Sequence, residues 1–146
     1  SMTKAMPWVV IVGIASVSCA KAAAQGGAPE LDPKTATTET WDLEGIGKTE
    51  LLVFAKERVT LGKSCLKGAA LDCEAYRVLR AGPKVEVKKS SLDGRMSAGS
   101  RVCLALKGEL VTGKSPAGNE DGFCKLGDGS IVACGPLETY AIKIVP

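Results

Sequence analysis

Cysteine constrains this chain more than any other residue type. Five of the six cysteines stand between positions 65 and 134, at Cys65, Cys73, Cys103, Cys124 and Cys134. Aromatic residues make up only 4% of the sequence, so a core would be mainly aliphatic and cross-links would matter more for so short a chain. No C-x-x-C pair and no histidine are present, which argues against a zinc ribbon, a thioredoxin-like motif and histidine-dependent catalysis.

The start of the chain has the pattern of a secretory signal peptide. Lys4 supplies a positive charge, and an apolar run over residues 8–20 follows. As a helix this run is too short to cross the roughly 30 Å hydrocarbon core of a bilayer. Small residues at 22–24 then precede Gln25, as at a cleavage site. We therefore predict a signal peptide over residues 1–24 and export to the periplasm or beyond. The alternatives are a buried apolar helix and an uncleaved membrane anchor.

A second processing route remains open at Cys19. The run Ser16-Val17-Ser18-Cys19 resembles a lipoprotein signal box, in which the cysteine is lipidated and becomes the first residue. The protein would then be a lipid-anchored outer-membrane lipoprotein. This anchor is the one membrane contact that the sequence predicts.

The basic charge of the chain belongs largely to its leader. The net charge is +3, but Lys4 and Lys21 leave with the signal peptide and no acidic residue does. A nearly neutral mature chain has little general attraction for nucleic acid or anionic lipid. The basic stretch over residues 84–101 contains no aromatic residue, so we interpret it as a solvated face and predict no nucleic-acid partner.

The rest of the chain divides into a linker and two similar halves. Residues 25–40 are rich in Gly, Pro, Ala and Thr, which predicts a flexible linker. Beyond it, residues 52–73 align with residues 103–124, so that two Gly-Lys-Ser triplets and two cysteines coincide. Duplication predicts two tandem modules, 41–96 and 97–146. The alternative is a coincidence between turns rich in small residues.

Each module is predicted to combine a short helix with a small antiparallel sheet. The helices are expected over residues 50–58 and, behind an N-cap at Ser97, over residues 98–107. The run Gly127-Asp128-Gly129 is a strong signal for a hairpin turn. The predicted fold class is therefore α+β, with two packed modules stapled by disulfides, because exported small domains commonly use cysteine in this way. Five cysteines remain once the signal peptide is removed. Because five is an odd number, one thiol is free, paired between chains, or joined to a retained Cys19.

The second half resembles a known bacterial family. The residues that carry the resemblance are Ser97-Ala98-Gly99-Ser100-Arg101-Val102-Cys103, Gly108 with Leu110, and Cys124-Lys125-Leu126-Gly127-Asp128-Gly129-Ser130. They are similar to a small envelope domain of unknown function whose members are often labelled putative hemolysin and are in many cases lipoproteins. The resemblance covers about residues 97–142. It implies an exported module without an established activity, and it implies a disulfide between Cys103 and Cys124. A local pair of Cys65 with Cys73 would leave Cys134 as the odd thiol.

Three motifs look like catalytic or nucleotide sites, but each lacks its context. Residues 108–115 match the phosphate-loop pattern letter for letter, yet the polar run after them cannot supply the helix that this loop needs. Residues 45–49 form a near miss in which Asp42 occupies the first glycine position. Ser64 and Lys67 match S-x-x-K without its partner motifs. The carboxylate pairs at 72/74 and 120/121 are expected to be solvated. We predict no catalytic residue, cofactor or metal.

These observations favour a non-enzymatic envelope protein that binds a protein or an envelope component. The alternatives are a secreted effector or inhibitor with membrane-directed activity, a lipid-anchored lipoprotein, and a Ser-Lys hydrolase. The near-neutral charge and the lack of a long amphipathic helix after the leader argue against lysis of membranes.

Overall fold

The computed structural model describes residues 26–146, and a six-stranded antiparallel barrel forms its centre. In chain order the elements are β1 (Thr37–Leu43), β2 (Gly47–Phe54), β3 (Val59–Gly62), β4 (Leu66–Lys67), β5 (Ala70–Leu71), α1 (Glu74–Ala81), β6 (Val85–Lys88), α2 (Ala98–Ala105), β7 (Glu109–Lys114), β8 (Glu120–Lys125), β9 (Ile131–Ala133) and β10 (Ile142–Val145). The barrel follows the order β1-β2-β3-β9-β8-β7, and β7 pairs with β1 to close it. Strands β6 and β10 pair in parallel, and β4 and β5 form a small hairpin.

The prediction of two tandem helix-plus-sheet modules is wrong. The first half of the chain supplies β1 to β3 and the second half supplies β7 to β9, and the halves join at two seams. The β3–β9 seam pairs Leu61 with Val132, and the β1–β7 seam pairs Asp42 with Lys114 and Leu43 with Gly113. Neither half closes a barrel of its own, because its three barrel strands would leave two unpaired edges that the other half covers.

The predicted helix over residues 50–58 is also wrong, since residues 50–54 belong to β2. This strand is buried on both faces: Leu51 points into the barrel interior, whereas Leu52 and Phe54 pack in a second core outside it. A strand that is buried on both sides carries a continuous apolar run, which pattern alone does not separate from a buried helix.

The alignment that suggested a duplication is wrong, although the order of elements does repeat. That alignment places Leu52 of β2 over Cys103 of α2. In the structure, the series β1, β2, β3, α1 and β6 has a counterpart in the second half. The counterpart consists of β7, β8 and β9, a helical turn at Cys134–Pro136 that continues over Leu137–Ala141, and β10. The hairpin β4–β5 is an insertion in the first half.

Two hydrophobic cores stabilise the barrel. One fills its interior and contains Leu43, Leu51, Val111, Phe123, Ile131 and Ala133. The other lies between one outer face of the barrel and the helices, and it contains both disulfides together with Leu61, Leu79, Val102 and Leu137. The helices are short, so their stability comes from packing one apolar face on this core.

Two local predictions in the second half are confirmed. Helix α2 begins behind Ser97, whose Oγ accepts a hydrogen bond of 3.1 Å from the Ser100 N–H. The hairpin turn between β8 and β9 lies at residues 127–129, where the Leu126 N–H donates to the Ser130 carbonyl at 2.9 Å and Gly129 adopts φ +86°. Within residues 26–146 no helix is both long and apolar enough to cross a membrane.

The segment expected to be a flexible linker is packed from residue 26 onward. Ala28 and Leu31 are buried in the outer core. The Ala28 N–H donates to the Leu79 carbonyl at 2.9 Å, and the Leu31 N–H donates to the Tyr76 hydroxyl at 3.2 Å. Strand β1 already begins at Thr37. The predicted signal peptide and Cys19 lie outside the described residues.

Candidate functional site

The cysteines pair as the sequence analysis expected. Cys65 is bonded to Cys73 with a Cα–Cα distance of 5.0 Å, and Cys103 to Cys124 with 5.7 Å, while Cys134 is a buried free thiol. All four bonded cysteines lie in the outer core. The disulfides are therefore internal staples between packed elements, not exposed groups at a site.

The phosphate-loop pattern over residues 108–115 has no phosphate-binding geometry. Residues 109–114 form β7, and the chain turns into β8 instead of a helix. The Lys114 ammonium lies 3.4 Å from a carboxylate oxygen of Glu120, its neighbour across the hairpin. The backbone thus supplies neither the loop of N–H groups nor the helix N-terminus that such a site needs.

The other Gly-Lys triplets meet in one shallow hollow. Residues 48–50 and 62–64 line a cavity of about 400 Å³ between β2 and the end of β3. The Lys63 ammonium forms an ion pair there with Glu50, 3.6 Å from a carboxylate oxygen. The Lys67 ammonium donates to the backbone carbonyl of Ser64 instead of approaching its hydroxyl. A Ser-Lys nucleophile is not assembled.

The hairpin turn at 127–130 caps helix α1 of the other half. The Glu74 N–H donates to Oδ2 of Asp128 at 2.8 Å, and the Ala75 N–H donates to the buried Ser130 hydroxyl oxygen at 3.1 Å. Burial raises the pKa of Asp128, but the Ser130 hydroxyl and the backbone N–H groups of Glu74 and Ser130 outweigh this effect, so its pKa lies below the usual aspartate value. The carboxylate is therefore a structural cap.

Replacing Asp128 with Ala is expected to destabilise the protein by about 1 kcal/mol, comparable to the loss of an N-cap side chain, because the Glu74 N–H in the first turn of α1 would lose its acceptor. The pKa of Asp128 is lower in the folded protein than in the unfolded chain. The ionised carboxylate therefore contributes fully to the free energy of unfolding above the unfolded aspartate pKa, and this contribution is lost as the pH falls through the folded pKa. Denaturant titrations at neutral and acid pH should show a smaller acid-dependent loss in Asp128→Ala than in the wild type. The exposed Glu86→Gln on β6 is the control; an equal change there would contradict this assignment.

Cys134 is held as a neutral thiol. Burial raises its pKa, with a further contribution from Asp121, and a hydrogen bond with Ser100 opposes these effects only partly. Its sulfur lies 3.9 Å from the Ser100 Oγ. Because the thiolate is the reactive form, the native thiol should be inert.

In the chain from Gln25 onward, we expect iodoacetamide to leave native Cys134 unmodified and to label it once guanidinium unfolds the protein. Intact mass should show no adduct in the native sample and a single adduct in the unreduced, unfolded one. Rapid labelling of the folded protein, or more than one adduct without reduction, would contradict the burial of this thiol or the pairing of the other four.

A cleft lies beside β1. Strand β1 pairs with β2 from Thr37 to Leu43, but it pairs with β7 only at Asp42 and Leu43. Beyond that point β7 turns away into the loop at residues 115–119. The space between strand and loop forms two adjoining cavities of about 440 and 520 Å³. Both are lined by Thr40, Trp41, Ser115 and Pro116.

Trp41 forms the floor of this cleft and is held in one orientation. Its ring meets Phe123 edge to face, with centroids 5.3 Å apart, and its indole N–H donates to a Glu39 carboxylate oxygen at 2.9 Å. The side chain points toward the barrel interior but remains partly exposed, because no strand covers it at the seam. A fixed, partly exposed aromatic ring beside polar groups is typical of binding sites.

The cleft is not predictable from the sequence pattern. The sequence predicts only that the first module begins at residue 41 and that the run after residue 115 forms no helix. The local signal was the single aromatic residue in the polar run at residues 37–42, since a tryptophan there is either covered by another element or available to a ligand.

The two carboxylate pairs of the sequence, at residues 72/74 and 120/121, do not form a common site. Asp72 forms an exposed ion pair of 2.8 Å with Arg77, and Glu120 pairs with Lys114. In residues 26–146 no three His, Cys, Asp or Glu side chains gather in a way that would hold a metal ion. Comparison with known protein families, curated proteins and solved structures found no match for this chain.

Proposed function

We propose that this protein is an exported, non-enzymatic protein of the bacterial cell envelope that acts by binding another protein or an envelope component. The observation that carries the proposal is the cleft beside β1, with Trp41 fixed at its floor. A rigid site of this kind binds without first ordering its own side chains, which lowers the entropic cost of association.

The export part of the proposal is supported by the leader pattern and by the two disulfides, since disulfides persist in oxidising compartments. The resemblance of residues 97–142 to the envelope domain agrees with it. The test is the intact mass of the protein isolated from its native host. A chain that begins at Gln25, or a lipidated chain that begins at Cys19, supports export; a full-length chain in the cytosol contradicts it.

The binding part is tested by placing a photo-crosslinking residue at Thr40, inside the cleft, and at Glu86 on β6 as the control. Both positions are exposed, but Glu86 lies on a separate sheet. In the native envelope we expect a discrete adduct from Thr40 and none from Glu86. The crosslinked component is then identified and purified, and Trp41→Ala should weaken its binding at least about tenfold.

Equal crosslinking from both positions, or unchanged affinity in Trp41→Ala, would contradict a binding role for the cleft. Membrane lysis is the competing function. Leu79 of α1 and Val102 of α2 are buried in the outer core, and Leu104 is the one large apolar side chain of these two helices that is exposed, so we expect no dye release from anionic vesicles at micromolar protein. Leakage would favour the membrane-directed alternative.

A further inference from the structure

We infer that the cleft binds an extended polypeptide segment rich in lysine or arginine, which adds to the free edge of β1 as a further strand. This inference rests on the proposed binding function and names the chemistry of the occupant. It follows from the direction of the backbone groups, the rigidity of the loop opposite, the position of Trp41 and the charge of the lining.

The edge of β1 presents unused backbone groups. The Glu44 N–H donates to the Thr112 carbonyl of β7 at 2.8 Å. Because backbone groups alternate in direction along an antiparallel strand, Thr38 and Thr40 present their N–H and C=O groups on the same side as Glu44. In the described part of the chain no strand pairs with them there. An edge of this kind is a template for an added strand.

The loop opposite does not use this edge because it satisfies its own hydrogen bonds. The Ser115 N–H donates to the Asn119 carbonyl, and the Gly118 N–H donates to the Ser115 carbonyl, both at 2.9 Å. The Asn119 N–H donates to the Ser115 hydroxyl oxygen at 3.1 Å. Pro116 has no N–H to offer. The loop therefore stays turned away, and the cleft remains open to a separate segment.

The cleft also provides a place for alternate side chains of such a segment. Successive side chains of a strand point to opposite faces, so every second residue of the occupant would face the barrel interior. There it would meet the ring of Trp41, which Glu39 and Phe123 hold in place. Pro116 contributes the apolar wall on the loop side. Backbone pairing would supply affinity and this pocket would supply selectivity.

The lining favours a basic occupant. The cleft and its continuation along the β1–β7 seam carry the carboxylates of Glu39, Asp42, Glu44 and Glu120 against the ammonium groups of Lys48 and Lys114. Beside the free edge itself the charged residues are Glu39 and Asp42 with Lys48 and Lys114. Because Lys114 pairs with Glu120, two carboxylates remain there for one lysine, and Glu44 adds a third carboxylate at the paired seam. The same acidic excess argues against a second copy of this chain, because two identical edges would repel one another.

The experiment uses three labelled synthetic peptides and fluorescence anisotropy. The first alternates valine and lysine, the second alternates valine and glutamate, and the third is the lysine peptide with an N-methyl group on every residue. We expect the lysine peptide to bind at least about tenfold more tightly than the glutamate peptide, which has the wrong charge. The N-methylated peptide must carry the methyl group on every residue, because alternate methyl groups would block only one edge of the strand; it then lacks all donors for strand pairing and should bind at least about tenfold more weakly as well.

Matched variants separate backbone pairing from charge. Glu39→Gln combined with Glu44→Gln retains a side-chain acceptor at position 39 for the indole N–H and should weaken the lysine peptide about fivefold, whereas Glu86→Gln should leave it unchanged. Thr40→Pro removes a donor on the free side of β1 and should weaken it about tenfold. Circular dichroism checks its folding, and Thr38→Pro provides the same test nearer the end of the strand.

Several results would overturn this inference. Equal binding of the lysine and N-methylated peptides would exclude strand pairing, and preference for the glutamate peptide would exclude a basic occupant. A concentration-dependent dimer that Thr40→Pro abolishes would identify a second copy of the chain as the occupant. Saturable binding of a purified glycan strand that displaces the lysine peptide would identify a glycan as the occupant. Failure of all peptides to bind while Thr40 still crosslinks to an envelope component would refute the basic strand and leave the proposed binding function intact.

Discussion

Loss of the Cys103–Cys124 disulfide is expected to lower the free energy of unfolding by about 3 kcal/mol. The bridge closes a loop with a sequence separation of 21, and in the chain-entropy treatment a loop of this length restrains the unfolded chain by about that amount. Both sulfurs are buried where α2 packs on β8, so the double variant Cys103→Ala with Cys124→Ala also loses apolar packing there. Urea titration of the oxidised protein measures the difference.

The second disulfide provides the matched control. Cys65 and Cys73 are separated by only 8 positions, so removing them should cost less, about 2.5 kcal/mol. A larger loss from the shorter loop would contradict the entropic account. Gly108→Ala tests the packing separately, because a Cβ there would lie 2.5 Å from the Cys124 sulfur and 2.9 Å from the Cys103 sulfur. Gly135→Ala, where a Cβ meets no atom within 4 Å, should be tolerated.

Phe123→Ala is expected to destabilise the protein by about 3–5 kcal/mol. The side chain is 1% exposed and belongs to the core that fills the barrel interior. Its ring also faces Gly113, where a Cβ would lie 2.7 Å from a ring carbon. The truncated side chain would leave a cavity at the β1–β7 seam, which has only two paired positions to hold it. Thermal or urea unfolding measures the loss.

The same variant should also disturb the cleft. In the chain from Gln25 onward Trp41 is the single tryptophan, and it would lose its edge-to-face contact with Phe123. We expect its emission to shift to longer wavelength and the affinity for the cleft's occupant to fall. Phe123→Leu keeps most of the volume and should cost less than half as much. Equal stability of the two variants, or an unchanged emission spectrum in Phe123→Ala, would contradict this account of the seam.

Local features of the chain were predictable because each depends on residues close together in sequence. Ser97 marks the start of α2 because a serine side chain satisfies a free backbone N–H in the first turn. Residues 127–129 mark a hairpin because glycine reaches the positive φ that such a turn requires. The pair Cys65–Cys73 followed from proximity, whereas the pair Cys103–Cys124 came from a family resemblance.

The features that matter most for function depend on contacts between the two halves, and local patterns do not contain them. Whether residues 50–54 form a helix or a strand is decided by burial on both faces, since β2 lies between the barrel interior and the outer core. The cap on α1 comes from Asp128 in the opposite half. The open edge of β1 exists because β7 pairs with it at two positions and then turns away. Turns, caps and cross-links can thus be predicted from nearby residues, whereas barrel closure and the cleft require the tertiary structure, because free energy from burial and strand pairing is gained only when distant segments meet.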